Sequence, residues 1–282
     1  LMSSAAAPSR AALRGHRATV SCIDCSLAAD VLATGSEDAS VRVWDARTGR
    51  SVKHISGVFS DQPVDIVRWH ESREWQLFAA AGKSVFAFDL RGPAVLIREA
   101  SAAAECATDE VGGIDTCGDQ LLVADDSGMV TLLEGGGAGM RVVSQISPAS
   151  GSICSAARFW HTDASTAALV GRIDAELEIW PLPEGRRSWR RAIGAPPTNA
   201  GAHTAPTLNP RLLHAMDLSS DGALVAAALG DCTLSLWARG EGSKLSEVSR
   251  VDAHSAAVAC VAFVPQCASG AAATTGGEGG EG

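Results

Sequence analysis

The chain has 282 residues, of which 46% are hydrophobic and 20% are charged, and its formal net charge is -9. It therefore holds enough apolar residues to bury a core, and it is too apolar for a protein that is disordered throughout. No uncharged apolar run approaches the roughly 18 residues that span a membrane, and the acidic balance argues against a general nucleic-acid clamp.

The N-terminal segment, residues 1–14, is rich in Ala, Ser and Arg and precedes any strand-like pattern. We expect a disordered lead-in here, with residues 11–14 as the candidate for a closing strand. Further along the chain one pattern recurs, in which an Asp stands six positions before a Trp that ends an alternating apolar and polar run. Such alternation is typical of a strand with one buried face. The three clear copies are residues 38–44, 174–180 and 231–237.

Two weaker copies complete the repeat, so that the runs end at a regular spacing of about 45 residues. The ends lie near residues 44, 88, 133, 180 and 237. Two apolar runs precede each end, and a more variable fourth run follows it. Four short antiparallel strands in a unit of this length are typical of a β-propeller blade.

We therefore predict an all-β fold, a propeller of about six blades with seven as the alternative. A single domain would span residues 15–282. Its last blade, residues 254–282, would be incomplete, because the position expected for its Trp falls beyond the last residue. Residues 181–210 are rich in Pro and Arg and lie within the longest interval, so we expect a long surface loop there.

The first repeat carries a more specific signal. A Gly-His pair at residues 15–16 and a Trp-Asp pair at residues 44–45 resemble the Gly-His…Trp-Asp signature of the WD-repeat family. The resemblance implies a hydrogen-bonded tetrad inside the blade, so that His16 and its counterpart His254 are structural rather than catalytic. Three segments, 124–134, 151–159 and 209–222, are similar to one particular member of that family. The tetrad residues that we assign are His16, Ser36, Asp38 and Trp44, with Thr34 as the alternative to Ser36.

Catalytic and metal-binding motifs do not emerge from the sequence. The glycine-rich residues 135–139 precede no predicted helix that could offer its N-terminus to a phosphate. Cys22 and Cys25 form a single C-x-x-C motif, and no second pair or spaced histidines follow to complete a zinc site. We therefore predict a protein that is not an enzyme and uses no metal, cofactor or small-molecule substrate.

Two consecutive repeats end in a related tetrapeptide. Residues 44–47 read Trp-Asp-Ala-Arg and residues 88–91 read Phe-Asp-Leu-Arg. The pattern resembles that of WD-repeat substrate receptors of the cullin-4 ubiquitin ligase, in which the Arg is a docking contact for the adaptor, damage-specific DNA-binding protein 1. The alternative is that Asp and Arg cap a strand and pair within their own blade. The docking residues implied here are Asp45, Arg47, Asp89 and Arg91, with Phe88 departing from the Trp of the pattern.

A basic cluster occupies residues 185–192, Gly-Arg-Arg-Ser-Trp-Arg-Arg-Ala. Guanidinium groups beside an aromatic ring suit phosphate, RNA or an acidic peptide, and the alternative is a solvated surface. The candidate residues are Arg186, Arg187, Trp189, Arg190 and Arg191.

These observations lead to one predicted function and one alternative. We predict a non-catalytic protein-interaction scaffold, a substrate receptor of a cullin-4 RING ubiquitin ligase, that works in the cytoplasm, the nucleus or both. Its partners would be proteins, including damage-specific DNA-binding protein 1, with RNA less favoured and no membrane contact. The alternative is a scaffold for another multiprotein or ribonucleoprotein complex.

Overall fold

The computed structural model describes residues 12–26, 29–135, 139–147, 151–161, 165–183, 185–194, 210–252 and 254–264. Within these ranges the chain forms β-strands and one short 3-10 helix, Glu241–Ser243. The all-β class is therefore confirmed. No helix in the described ranges is long and apolar enough to cross a bilayer.

The strands fall into five successive groups, which we call blades one to five. The first nine strands are β1 (Val20–Ser26), β2 (Val31–Ser36), β3 (Ser40–Asp45), β4 (Ser51–Ser56), β5 (Ile66–Trp69), β6 (Gln76–Ala81), β7 (Ser84–Asp89), β8 (Leu96–Ile97) and β9 (Ala102–Glu105). The next four are β10 (Val111–Cys117), β11 (Gln120–Asp125), β12 (Val130–Gly135) and β13 (Met140–Ile146). The last eight are β14 (Cys154–His161), β15 (Thr166–Arg172), β16 (Glu176–Pro181), β17 (Trp189–Ala192), β18 (Leu213–Leu218), β19 (Leu224–Leu229), β20 (Thr233–Arg239) and β21 (Leu245–Asp252).

Each blade is an antiparallel sheet whose strands follow chain order from the centre outwards. The sheets are β1-β2-β3-β4-β8, β5-β6-β7-β9, β10-β11-β12-β13, β14-β15-β16-β17 and β18-β19-β20-β21. Strand β8 is the exception, because it leaves the connection of blade two and pairs in parallel with β4 of blade one. The repeated four-stranded sheet is the arrangement of a β-propeller.

The first strands of the blades stand side by side around a central channel. Contacts join β1 to β5, β5 to β10, β10 to β14 and β14 to β18. The channel is lined by residues from all five of these strands and by Cys260 and Val261. Residues 260–261 therefore take a sixth position around the channel.

Apolar residues hold the blades together face to face. One buried cluster lies between each pair of successive blades from one to five. In β6, Leu77 and Ala79 pack towards blade one, whereas Phe78 and Ala80 pack towards blade three. The period-two pattern thus buries both faces of an inner blade.

Blade one has a neighbour on one side only within the described residues. Val67 and Ile114, which occupy the same position of their first strands, are 4% and 3% exposed. Ile23, the equivalent residue of β1, is 62% exposed. Ile23 therefore faces the place where a sixth blade would pack.

The sequence expectations for the two ends of the propeller require correction or fall outside the described ranges. Residues 12–14 form no strand, because the described chain provides no last-blade strand beside which they could pair; residues 1–11 lie outside the described residues. The expected last blade, 254–282, is described only to residue 264 and forms no strand there, since the hairpin partner would follow residue 264.

The loop expected over residues 181–210 is wrong in its first part. Trp189–Ala192 forms β17, the fourth strand of blade four, in register with β16. Its composition looked like that of a loop because an outer strand keeps one face in solvent, and here that face carries arginine. Residues 195–209 lie outside the described residues.

Gly35 in β2 tests how tightly blades one and two pack. A Cβ atom there would lie 2.6 Å from Cys22 Sγ and 2.7 Å from the Val64 carbonyl oxygen. We expect Gly35→Ala to lower the free energy of unfolding by about 2 kcal/mol through overpacking. Denaturant titration measures this change. Gly92→Ala is the matched control, because nothing lies within 4 Å of its Cβ, and equal effects of both substitutions would contradict the expectation.

Candidate functional site

The strand order assigns the turns to two faces of the ring. The β1–β2 and β3–β4 turns, and their equivalents in the other blades, share what we call the bottom face. The β2–β3 turn and the connections between blades share the opposite, top face. Asp45 and Asp89 end β3 and β7, the third strands of adjacent blades, so both Trp-Asp-x-Arg-type motifs lie on the bottom face.

Asp45 shapes the turn that presents Arg47. Its Oδ1 accepts the backbone N–H groups of Arg47 at 2.9 Å and Thr48 at 2.8 Å. The hydrogen bonds from Thr48 are the main reason why the pKa of Asp45 is lowered. Arg47 itself is 79% exposed, and its Nε lies 3.6 Å from a carboxylate oxygen of Asp30. This guanidinium is loosely held and open to solvent.

Arg91 is held more firmly in its own blade. Its Nε donates to the two carboxylate oxygens of Asp89 at 3.0 and 3.1 Å, and these hydrogen bonds lower the pKa of Asp89. The guanidinium carbon also lies 3.8 Å from the centre of the Trp75 ring. The side chain is nevertheless 62% exposed. The sequence allowed two interpretations of these arginines, adaptor docking and pairing within their own blade. Pairing within the blade describes Arg91 better than Arg47.

The segment that follows Arg91 straps blade two to blade one. Lys53 Nζ, on β4, donates to the carbonyl oxygens of Gly92 and Ala94, the latter at 2.9 Å. The His54 amide donates to the Val95 carbonyl at 2.8 Å, and β8 then continues the pairing with β4. This strap, residues 92–97, fixes the two motifs relative to each other.

Sequence reasoning missed both the strap and Trp75. A signal for the strap is the connection from Asp89 to Ala102, which is longer than a hairpin turn between neighbouring strands requires. A signal for Trp75 is a large aromatic residue in an otherwise polar turn, directly before β6.

The predicted tetrad forms in blade one with Thr34 in place of Ser36. His16 Nδ1 lies 3.1 Å from Asp38 Oδ2, and its Nε2 lies 2.8 Å from Thr34 Oγ1. The Trp44 indole N–H donates to the same Oγ1 at 2.8 Å. Ser36 is closer to the turn, where its hydroxyl accepts the Asp38 amide and donates to the Ala18 carbonyl, so the assignment of Ser36 was wrong.

The tetrad is joined through Asp38 and Thr34. Because the Asp38 carboxylate can only accept, His16 Nδ1 donates to it. Thr34 Oγ1 accepts the indole proton of Trp44, and its own hydroxyl donates to the Arg42 carbonyl at 3.4 Å. Burial raises the pKa of Asp38, but hydrogen bonds from the Ser40 hydroxyl, the Arg17 amide and His16 outweigh it and lower that pKa to about 2.

The basic cluster belongs to a charge network of blade four. Glu178 is fully buried, and it accepts hydrogen bonds from Arg172 at 2.9 Å, Arg187 at 2.8 Å and the Trp180 indole at 3.1 Å. Arg190 Nε donates to Glu176 at 2.6 Å. Thus Arg187 and Arg190 are committed to carboxylates of β16.

The remaining members of the basic cluster differ in their surroundings. Trp189 is half-buried against the core between blades four and five. Arg186 and Arg191 are exposed, and the guanidinium carbon of Arg191 lies 5.9 Å from the centre of the Trp237 ring. The cluster therefore offers less free charge than its sequence suggests.

The C-x-x-C pair does not converge on a common point. Burial raises the pKa of the Cys22 thiol to about 12, and its Sγ lies 3.6 Å from the Val64 carbonyl oxygen. Cys25 is exposed, and residues three apart in a strand point to opposite faces. No group of three or more His, Cys, Asp or Glu residues in the described ranges is arranged to hold a metal ion.

Five four-stranded blades around a channel, with the His–Thr–Asp–Trp tetrad in the first, define a WD-repeat β-propeller. The family model "WD domain, G-beta repeat" matches residues 8–45. The chain thus has the fold of the WD-repeat β-propellers, a class whose rims and faces generally bind other proteins and which is generally not catalytic.

Among curated proteins, the chain is similar to the WD repeat-containing protein 53 homolog of Dictyostelium discoideum. The two are 25% identical over 235 residues, which is 79% of this chain and 62% of that protein. This is the member that segments 124–134, 151–159 and 209–222 resemble. The chain thus spans less than two thirds of that relative's length.

Two further comparisons are more limited. Ribosome biogenesis protein ERB1 of Chaetomium globosum is 39% identical over 74 residues, 26% of this chain and 9% of ERB1. A chain in the crystal structure of the Mitotic Checkpoint Complex superposes with a TM-score of 0.70, covering 89% of this chain and 70% of that one at 16% identity. That likeness concerns the fold alone.

The Asp38 carboxylate predicts a pH-dependent contribution to stability. Its pKa of about 2 in the folded chain lies below its ordinary value of 3.8. The contribution is therefore complete above about pH 5 and is lost as the pH falls towards 2. We expect Asp38→Asn to lower the free energy of unfolding by about 1–2 kcal/mol at pH 7. Urea titrations of both proteins at pH 7, 4 and 3 should show the difference shrinking, and a constant difference would contradict this account.

Proposed function

We propose that the chain is a non-catalytic scaffold that serves as a substrate receptor of a cullin-4 RING ubiquitin ligase, in the cytoplasm, the nucleus or both. It docks on damage-specific DNA-binding protein 1 through the bottom face of blades one and two. The observation that carries the proposal is the equivalent placement of Arg47 and Arg91. Both follow the third strand of adjacent blades, and both expose most of their side chain on that face.

The two arginines would contribute differently to docking. Arg47 gives up only a solvent-screened contact with Asp30 when it pairs with a partner, and such contacts are worth little. Its planar fork of donors suits a carboxylate or backbone carbonyls of the adaptor. Arg91 is already oriented by Asp89 and Trp75, so it loses less side-chain freedom on binding.

The strap supports a combined use of both motifs. Because Lys53 and β4 hold residues 92–97 against blade one, the distance between the two arginines does not depend on a flexible connection. A preorganised pair of contacts binds more tightly than two independent ones. The top face and the rim of the ring remain for the substrate.

Docking is tested by binding to purified damage-specific DNA-binding protein 1. We expect Arg47→Ala together with Arg91→Ala to weaken binding at least tenfold, because two exposed charge-assisted contacts are removed. Surface plasmon resonance measures the affinity, and circular dichroism checks that the variant is folded.

The matched control is Arg141→Ala with Lys244→Ala. Arg141 lies at the start of β13 and Lys244 directly before β21, so both adjoin the bottom face, and both are exposed. The control changes the net charge equally, so it separates docking from a general loss of positive charge. Unchanged adaptor binding by the folded Arg47/Arg91 variant would exclude this docking mode.

A ribonucleoprotein scaffold is the second candidate. It is supported by the exposed Arg186 and Arg191 beside Trp189 and by the similarity of 74 residues to a protein named for ribosome biogenesis. Against it, Arg187 and Arg190 already pair with Glu178 and Glu176.

RNA binding separates the two candidates. Because the ion pairs of blade four neutralise half of the cluster, we expect no measurable affinity for a uridine oligonucleotide at a salt concentration of about 50 mM. Fluorescence anisotropy of the labelled oligonucleotide is the measurement. Binding that weakens with salt and disappears in Arg186→Ala with Arg191→Ala would instead favour the ribonucleoprotein scaffold.

A further inference from the structure

A ring of alternating charges surrounds the lower part of the channel. The strand registers place one ionisable residue at the same position of each first strand. From blade one to blade five these residues are Asp24, Arg68, Asp115, Arg158 and Asp217. Acids stand on the odd-numbered blades and arginines on the even-numbered ones.

Each acid of this ring also binds the backbone of the following blade. One carboxylate oxygen accepts the amide of the residue that comes directly after the next ring position. The three pairs are Asp24 with Trp69 (2.7 Å), Asp115 with Phe159 (2.8 Å) and Asp217 with Phe263 (2.7 Å). Phe263 thus corresponds to Trp69 and Phe159, and Ala262 occupies the sixth ring position.

The arginines reach forward to the next acid. Arg68 donates to Asp115 at 2.8 Å and lies 4.0 Å from Asp24, while Arg158 Nε lies 3.6 Å from Asp217. Asp115 and Asp217 therefore each receive a guanidinium from the preceding blade. Asp24 would receive its own from the sixth position, where Ala262 is exposed and uncharged.

Among the described residues, the ring is consequently one positive charge short. It contains three carboxylates and two guanidinium groups, and burial raises the pKa of Asp24 above its ordinary value although Arg68 lies nearby.

Space adjoins this position. A cavity of about 290 Å³ is lined by Asp24, Met216, Cys260 and Val261 together with Arg68 and Arg158. A second cavity of about 870 Å³, bordered by Arg68, Leu218 and Phe263, opens between the channel and the bottom face. A long side chain could enter from that face and reach the ring.

We propose that the channel binds an arginine side chain of a partner peptide at the sixth ring position, with its guanidinium between Asp217 and Asp24. The two filled positions of the ring show which group fits, because Arg68 lies between Asp24 and Asp115, and Arg158 lies beside Asp217. A planar guanidinium donates in two directions at once, which an ammonium group does less well. This site uses neither Arg47 nor Arg91, although it opens on the same bottom face.

The test uses three blocked tripeptides, Ac-Gly-Arg-Gly-NH2 and its lysine and citrulline counterparts. Citrulline keeps the shape of arginine but lacks its charge. In ¹H–¹⁵N NMR spectra of the full chain, we expect the arginine peptide to shift the amide resonances of Trp69 and Phe263. Equal shifts with the lysine or the citrulline peptide, or none with arginine, would overturn the proposal.

Variants of the ring provide the second measurement. We expect Ala262→Arg to supply the missing charge from within, to abolish peptide binding and to raise Tm by roughly 2–4 °C. Ala262→Gln is the uncharged control, and an equal rise in Tm would overturn the proposal.

We expect Asp24→Asn, which retains an acceptor for the Trp69 amide, to weaken peptide binding roughly tenfold. Unchanged affinity in this variant would also overturn it.

Discussion

The structure depends on one constraint: a blade cannot bury its own faces and must be covered by its neighbours. In β6 alternate residues belong to different interfaces, with Leu77 and Ala79 on one side and Phe78 and Ala80 on the other. The same constraint explains why Ile23 is exposed although its equivalents are buried. Because every interface is shared, the bottom-face motifs and the charged ring inherit their geometry from apolar packing between blades.

The parts of the fold that could be predicted are those in which burial is two-sided or alternating. The first three strands of each blade carry that pattern, so they are readable from the residues alone. Outer strands such as Trp189–Ala192 have a solvent face that tolerates any polar residue, and they escape the pattern. Thr34 and Ser36 lie on the same side of β2, so only their distances to the indole of Trp44 distinguish them.

The two Trp-Asp-x-Arg-type motifs show a different limit of sequence reasoning. Their residues are nearly the same, yet Arg47 stands in solvent and Arg91 is clamped between a carboxylate and the ring of Trp75. The difference arises from the neighbouring turn and from the strap, which lie outside the motif. A motif therefore specifies where an arginine lies on the propeller, whereas its surroundings decide how much of its binding capacity is free.

The buried Glu178 of blade four limits which substitutions this blade tolerates. In blade one, the indole of Trp44 is held by the uncharged hydroxyl of Thr34. In blade four, the corresponding acceptor is the carboxylate of Glu178, which two guanidinium groups hold in place. Losing Arg172 alone would leave a buried charge short of a partner, which is among the more damaging single changes in a core. Conversion between the two arrangements thus requires coordinated substitutions. A single substitution in this network is therefore damaging, whereas joint replacement of its members by apolar residues is often neutral.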